Sequence, residues 1–255
     1  MIGVYDSGVG GLSVWKELNA LMPWQDYVYV ADSAHCPYGD KSPDYIVRRA
    51  DAIVRFLVDE GADAVVVACN TATAAAVSYL RSAFPIHFIG MEPAVKPAAI
   101  ASRTGVVGVL ATANTFKGSL YRDTVMKYAS GVKVIEKIGR GLVEAVEREE
   151  IPYDLIRKYV GEMTSEGADV IVLGCTHFPF LEKPIAQAAG DGVRIINPAP
   201  AVARQAMRVA GNGLETAHVP PSRRFVSTGD ISVLRRMAMS MDPSLNESDF
   251  KTVNI

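Results

Sequence analysis

Short, nearly unbroken apolar runs alternate along this chain with longer segments whose apolar positions recur every three to four residues. IGVYD (2–6), YVYVA (27–31), AVVVAC (64–69), HFIG (87–90), GVVGVL (105–110), VKVIEKI (132–138), VIVLGC (170–175), VRII (193–196) and RFVST (224–228) predict strands. Between them the period changes to that of a helix. From Ser42 to Glu60 the positions Ile46, Ala50, Ile53 and Leu57 fall on one stripe. Ser42 stands where an N-cap oxygen is wanted, and Pro43 takes the first helical position, where a missing N–H costs nothing. Strand and helix in alternation imply parallel strands joined by right-handed crossovers. Strands apolar on both faces imply helices on both sides of each sheet. The expected class is therefore α/β, with doubly wound parallel sheets.

The pattern repeats. Gly3 in IGVYDS matches Gly108 in VGVLAT at an offset of 105, Cys69 matches Cys175 at 106, and Pro93 in MEPA matches Pro198 in INPA at 105. Three landmarks at nearly one offset predict two similar domains related by pseudo-duplication. The last strand and helix signals (RFVSTGDISVLRRMAMSM, 224–241) come after the second half is complete. The chain is therefore expected to return to the first domain, giving residues 1–92 plus 204–255 as one domain and 93–203 as the other.

Composition narrows the function classes. With 255 residues, 49% of them apolar, the chain can bury a sizeable core. A formal net charge of −2 provides no field for nucleic acid or anionic lipid, so neither is an expected partner. No run approaches the 18 apolar residues of a membrane span. MIGVYDSGVGG carries no secretory pattern. Three cysteines without an export signal are expected to be reduced thiols in the cytoplasm.

Two of those thiols stand out. VVVACNTATAAA (65–76) and VIVLGCTHFPFL (170–181) each end a buried strand in a cysteine followed by hydrogen-bonding side chains: Cys69 with Asn70 and Thr71, Cys175 with Thr176 and His177. Open α/β sheets place ligands at the carboxyl ends of their strands. The unpaired N–H groups of a helix start suit a carboxylate and are expected to lower a nearby thiol pKa. An inert buried cysteine is the common alternative for either site alone; the pairing argues against it. Zinc motifs such as CxxC or HExxH are absent, and Cys175 with His177 makes only two ligands, so no metal is expected. DSGVGG (6–11) fails the dinucleotide fingerprint because Ser13 stands where its last glycine belongs, and no GK[ST] follows. It reads better as a tight turn exposing N–H groups, with Asp6 at a strand end as an acid/base or capping residue. Tyr38 and Gly39 lie in a turn set by Pro37. Cys36 lacks comparable polar company along the sequence and is expected to be structural, with His35 and His87 incidental.

IGVYDSGVGGLSV, DSAHCPYGDKS, VVVACNTATAAA, GMEPAVKPAA and VIVLGCTHFPFL, in this order over nearly the whole chain, resemble the glutamate racemases of the aspartate/glutamate racemase superfamily. The resemblance implies two similar α/β domains with the active site in the cleft between them. It also implies cofactor-independent interconversion of L- and D-glutamate by two cysteine bases, supplying D-glutamate for peptidoglycan. By the same resemblance, Cys69 and Cys175 are the bases, with Asp6 assisting the first and His177 the second. Asp6, Ser7, Tyr38, Gly39, Asn70, Thr71, Thr176 and His177 contact the substrate. The family is commonly homodimeric, and no patch in this sequence fixes an interface. The family's Pro-containing stretch ending in an acid is replaced here by EKIGRGLVEAVE (136–147), where Glu144 is the nearest equivalent acid. A related racemase acting on aspartate and a non-catalytic binding protein using the same cleft are the alternative readings.

Overall fold

The alternating signals resolve into two all-parallel sheets in a computed structural model that describes residues 1–92, 94–210 and 221–255. The first run of elements is β1 (Ile2–Asp6), α1 (Leu12–Leu21), β2 (Tyr27–Ala31), α2 (Pro43–Asp59), β3 (Ala64–Val67), α3 (Asn70–Ala83) and β4 (His87–Gly90). The second is α4 (Val95–Ala101), β5 (Val106–Ala111), α5 (Ala113–Lys117), α6 (Ser119–Tyr128), β6 (Lys133–Ile138), α7 (Leu142–Glu147), α8 (Tyr153–Ser165), β7 (Val170–Gly174), α9 (Glu182–Ala189) and β8 (Arg194–Ile196). Then come α10 (Ala199–Ala210), β9 (Arg223–Ser227), α11 (Ser232–Met241) and β10 (Phe250–Thr252). Each predicted strand is present. β10, an edge strand whose residues FKT form no apolar run, is the one strand of the described residues without a predicted signal.

Strand order carries the repeat. The first sheet runs β10-β9-β2-β1-β3-β4 and the second β6-β5-β7-β8, so β2-β1-β3-β4 and β6-β5-β7-β8 share one order. The paired glycines do the same work in both. A Cβ on Gly108 would lie 2.5 Å from the Met163 sulfur of α8, and one on Gly3 would lie 3.0 Å from Leu57 of α2. Each glycine lets a covering helix settle onto its central strand. The third landmark of the repeat, Pro93, lies outside the described residues, as does the segment 211–220.

The apolar strands are buried on both faces. On the first sheet Val4, Tyr29 and Val66 face one core, which continues to Leu110, Leu142 and Leu173 of the second half. Tyr5, Val30, Val65 and Val67 face another core under α2 and α3. In α2, Ser42 accepts the Tyr45 N–H at 3.3 Å and Ile46, Ala50, Ile53, Val54 and Leu57 are buried. Burying each such side chain contributes roughly 1.5–3 kcal/mol before entropy is counted. β9 pairs with β2, and α10 packs on α1, so the end of the chain belongs to the first sheet.

Candidate active site

The carboxyl ends of β1 and β3 in one sheet, and of β5 and β7 in the other, open onto a shared, narrow cleft. Ser7, Tyr38, Gly39, Cys69, Asn70 and Thr71 line it from the first half, and Thr112, Val143, Cys175, Thr176 and His177 from the second. The two thiols are therefore supplied by different sheets.

Cys69 is the N-cap of α3: its sulfur accepts the Ala72 N–H at 3.4 Å, and the Ser7 hydroxyl lies 3.7 Å away. The expectation of a lowered thiol pKa fails here. Burial, followed by the nearby Asp6 charge, pushes the Cys69 thiol up to about 12, against the smaller pull of the Ala72 and Ser7 hydrogen bonds. Cys175 has no helix start beside it. A turn and a 3₁₀ segment, Phe178–Leu181, separate β7 from α9. Its sulfur instead lies 3.7 Å from His177 Nδ1.

His177 is fully buried, and its Nε2 lies 2.6 Å from Glu147 Oε1. Burial alone would lower the imidazole pKa, but Cys175, Cys36 and Glu147 reverse this and hold it well above its ordinary value. Burial likewise works to raise Glu147, and is outweighed by His177 and the Val9 N–H, so its carboxyl sits below its usual range. The result is an imidazolium–carboxylate pair behind Cys175. Asp6 makes no hydrogen bond to Cys69. It accepts the Gly8 N–H at 3.0 Å and the Thr176 hydroxyl at 2.9 Å, tying the two halves together. Burial raises its carboxyl to about 6 against the pull of the His177 charge and these two bonds.

The glycines of DSGVGG allow this proximity. A Cβ on Gly8 would meet the Glu147 carboxylate at 1.9 Å, and one on Gly10 would meet His177 Nδ1 at 2.3 Å. Tyr38 lines the cleft, yet its hydroxyl is committed to Asp32 (2.5 Å) and Tyr5 (3.0 Å). Asn114 clamps the Tyr38 and Lys41 carbonyls from α5, at 3.1 and 2.8 Å. Asn70 is buried, with its amide nitrogen unpartnered among the described residues. A buried orphan donor in a cleft wall is a place for a ligand acceptor.

Three features escaped the sequence reading. The acid on His177 is Glu147, while Glu144, one turn earlier, lines the neighbouring pocket with Pro37 and Arg140. Cys36 does have polar company: its sulfur is 3.6 Å from Glu147 Oε1, and burial pushes its thiol up to about 11. Thr112, bonded to Thr71 at 2.8 Å, lines the cleft. The repeat offset of 105 from Ser7 points at it.

Comparison with known proteins gives one consistent answer. A model of the Asp/Glu/Hydantoin racemase family matches residues 10–206. A glutamate racemase of Methylococcus capsulatus is 46% identical over 251 residues, spanning 96% of this chain and 93% of the relative. The structure of Escherichia coli glutamate racemase, solved with L-glutamate and the activator UDP-MurNAc-Ala, aligns with a TM-score of 0.87 at 30% identity, covering 99% of this chain and 96% of the other. The Francisella tularensis glutamate racemase, solved with D-glutamate, aligns at 0.84 and 26% identity, covering 99% and 97%.

Proposed function

The chain belongs to the Asp/Glu/Hydantoin racemase family, and from this premise we propose that it interconverts L- and D-glutamate with Cys69 and Cys175 as two opposed bases. The observation that carries the reading is the pair of buried thiols, one from each sheet, in a cleft that also holds an unpartnered Asn70 amide. One base alone tends to return the proton to the face it came from. Inversion needs one group to remove the α-proton and a second, opposite, to deliver another.

In one direction Cys69 loses its proton to solvent in the cleft beside Asp6 and Ser7, and its thiolate takes the α-proton. Cys175 then donates its own proton to the other face of the α-carbon. In reverse, the Cys175 thiolate, held beside the His177 imidazolium that Glu147 stabilises, takes the α-proton, and Cys69 donates its own to the opposite face. A thiol is far more acidic than an amino-acid α-carbon, so proton transfer must be supported by stabilising the carbanion. Asn70, Thr71 and Thr112 line the cleft, and we assign to them the hydrogen bonds to the substrate carboxylate, where that charge delocalises. Positioned acid–base groups typically add about 10²–10⁴-fold.

The product, D-glutamate, serves peptidoglycan synthesis. Among the described residues no helix is long and apolar enough to cross a membrane. A cytoplasmic location and a homodimer are part of the proposal by likeness to the family alone. We divide the lobes as 1–92 with 204–255, and 93–203, with α10 carrying the chain across. Incubation of each glutamate enantiomer in D₂O tests the chemistry directly. Deuterium must enter the α-position during inversion, and a panel including aspartate sets the specificity. Protein that exchanges no α-proton in either enantiomer would refute the reading.

A further inference from the structure

The fold assembles a ligand set that no local spacing announces. One donor atom each from Cys36, Glu147 and His177 lies within 4.8 Å of the others. The residues come from the loop after β2, the end of α7 and the turn after β7, and are far apart in sequence. We propose that they form a binding site for a zinc-class divalent transition metal, whose occupancy inhibits the enzyme. The inhibitory half rests on the racemase reading above; the binding half does not.

The chemistry of the set favours zinc over magnesium or calcium, which take oxygen ligands. A thiol, an imidazole and a carboxylate are its usual protein ligands, and three of them leave the fourth tetrahedral position for water. The distances are close to what a metal needs. With Zn–S about 2.3 Å and Zn–O about 2.1 Å, a tetrahedral centre separates sulfur from oxygen by about 3.6 Å. The Cys36 sulfur and Glu147 Oε1 are 3.6 Å apart. The His177–Glu147 contact, 2.6 Å as a hydrogen bond, would open to about 3.4 Å as the shared proton leaves. The same Glu147 oxygen accepts the Val9 N–H at 2.8 Å and keeps a second lone pair for the metal. Cys36 and Glu147 are half-buried while His177 is fully buried, so a cation has a way in from the Cys36 side.

Binding replaces the Cys36 thiol proton and the proton between His177 and Glu147, both of which pass to solvent. His177 Nε2 is then held by the metal. The ring can no longer be the cationic partner of the Cys175 thiolate with Glu147 as its counter-ion, and inversion stops.

The test uses the full chain freed of metal with a chelator. Co(II) is followed by visible absorption and Zn(II) by calorimetry. We expect one equivalent of each, with a thiolate-to-cobalt charge-transfer band. Cys36→Ser abolishes the band and weakens Zn(II) binding by about tenfold or more, and Glu147→Gln weakens it similarly. Zn(II) inhibits racemisation at concentrations matching its binding, EDTA reverses it, and Cys36→Ser needs about tenfold more. A band that survives in Cys36→Ser would assign the thiol to Cys69 or Cys175 and overturn the site. No stoichiometric binding, or full binding with racemisation intact, overturns the proposal as well. Metal-free protein that exchanges no α-proton overturns the racemase reading instead, and the titration still decides the site.

Discussion

His177 Nε2 and Glu147 Oε1 meet at 2.6 Å behind Cys175, in a region where the ring is fully buried and the carboxylate keeps a partly exposed edge. The pair sets the proton capacity of one face of the cleft. Taking away the carboxylate's charge leaves a buried imidazole whose largest remaining influence, burial, pulls its pKa down.

Glu147→Gln is therefore expected to keep the fold of the cleft and lose about 10–100-fold in kcat, with the loss greater in the direction that starts at Cys175. The sign on pH follows. His177 is raised by its partners, so its proton is present below its folded pKa and lost above it. In the variant that upper limb of the pH–kcat profile moves to lower pH. A profile unchanged in its upper limb would remove His177 from the proton path.

Asp6 carries a different signature, because burial lifts its carboxyl from 3.8 to about 6. A raised carboxyl stabilises the fold fully below its unfolded pKa, near 4, and that contribution is lost as pH rises through about 6. About two pKa units correspond to roughly 3 kcal/mol. Asp6→Asn avoids the charge, so its unfolding free energy should exceed the parent's by about 2–3 kcal/mol above pH 7 and converge with it below pH 4. Urea unfolding at pH 4 and 8 checks this. Activity of the variant should fall about 10²-fold, which would mark Asp6 as a site where stability is surrendered for function.

Asn70 allows a similar experiment on binding. Its amide nitrogen is buried without a protein partner, which costs roughly 1–3 kcal/mol in the empty cleft. Asn70→Leu removes the orphan while keeping the branched heavy-atom skeleton of the side chain. The variant should unfold no more easily than the parent, and its KM for glutamate should rise about 10–100-fold. A variant that is less stable with KM unchanged would mean that the amide bonds water or protein rather than substrate.

What the sequence made legible follows from how local each signal is. The strands from Ile2–Asp6 to Arg223–Ser227 and the Ser42–Pro43 helix start rest on neighbours a few residues apart, and each is present. Cys69 and Cys175 were visible because each ends an apolar run in a polar cluster. Glu147 was not. Glu144 and Glu147 stand one turn apart on α7, and which carboxylate reaches His177 depends on how that helix docks against the Phe178–Leu181 turn. Cys36 was set aside because its polar partner lies 111 positions away in the chain. The expected thiolate at Cys69 failed for a related reason: the helix start was readable, but the burial and Asp6 charge that outweigh it come from tertiary packing.

The cysteine pair gives the sharpest prediction. Serine in place of either cysteine keeps the size and hydrogen bonding but removes an ionisable thiol, since a hydroxyl is hardly ionised near neutral pH. Racemisation uses both groups, so Cys69→Ser and Cys175→Ser should each lose about 10²-fold or more. The two should nevertheless differ. Each retains one thiol, on one face of the α-carbon. Each should therefore still take the proton from one enantiomer of a glutamate analogue that eliminates a β- or N-substituent, since elimination needs no second base. The thiols come from different sheets across one cleft, so the two variants should prefer opposite enantiomers. Elimination followed separately for the D- and L-analogues measures this. If both variants consume the same enantiomer, or if Cys175→Ser still racemises glutamate at the parent rate, the thiols do not act from opposed faces and the two-base mechanism is wrong.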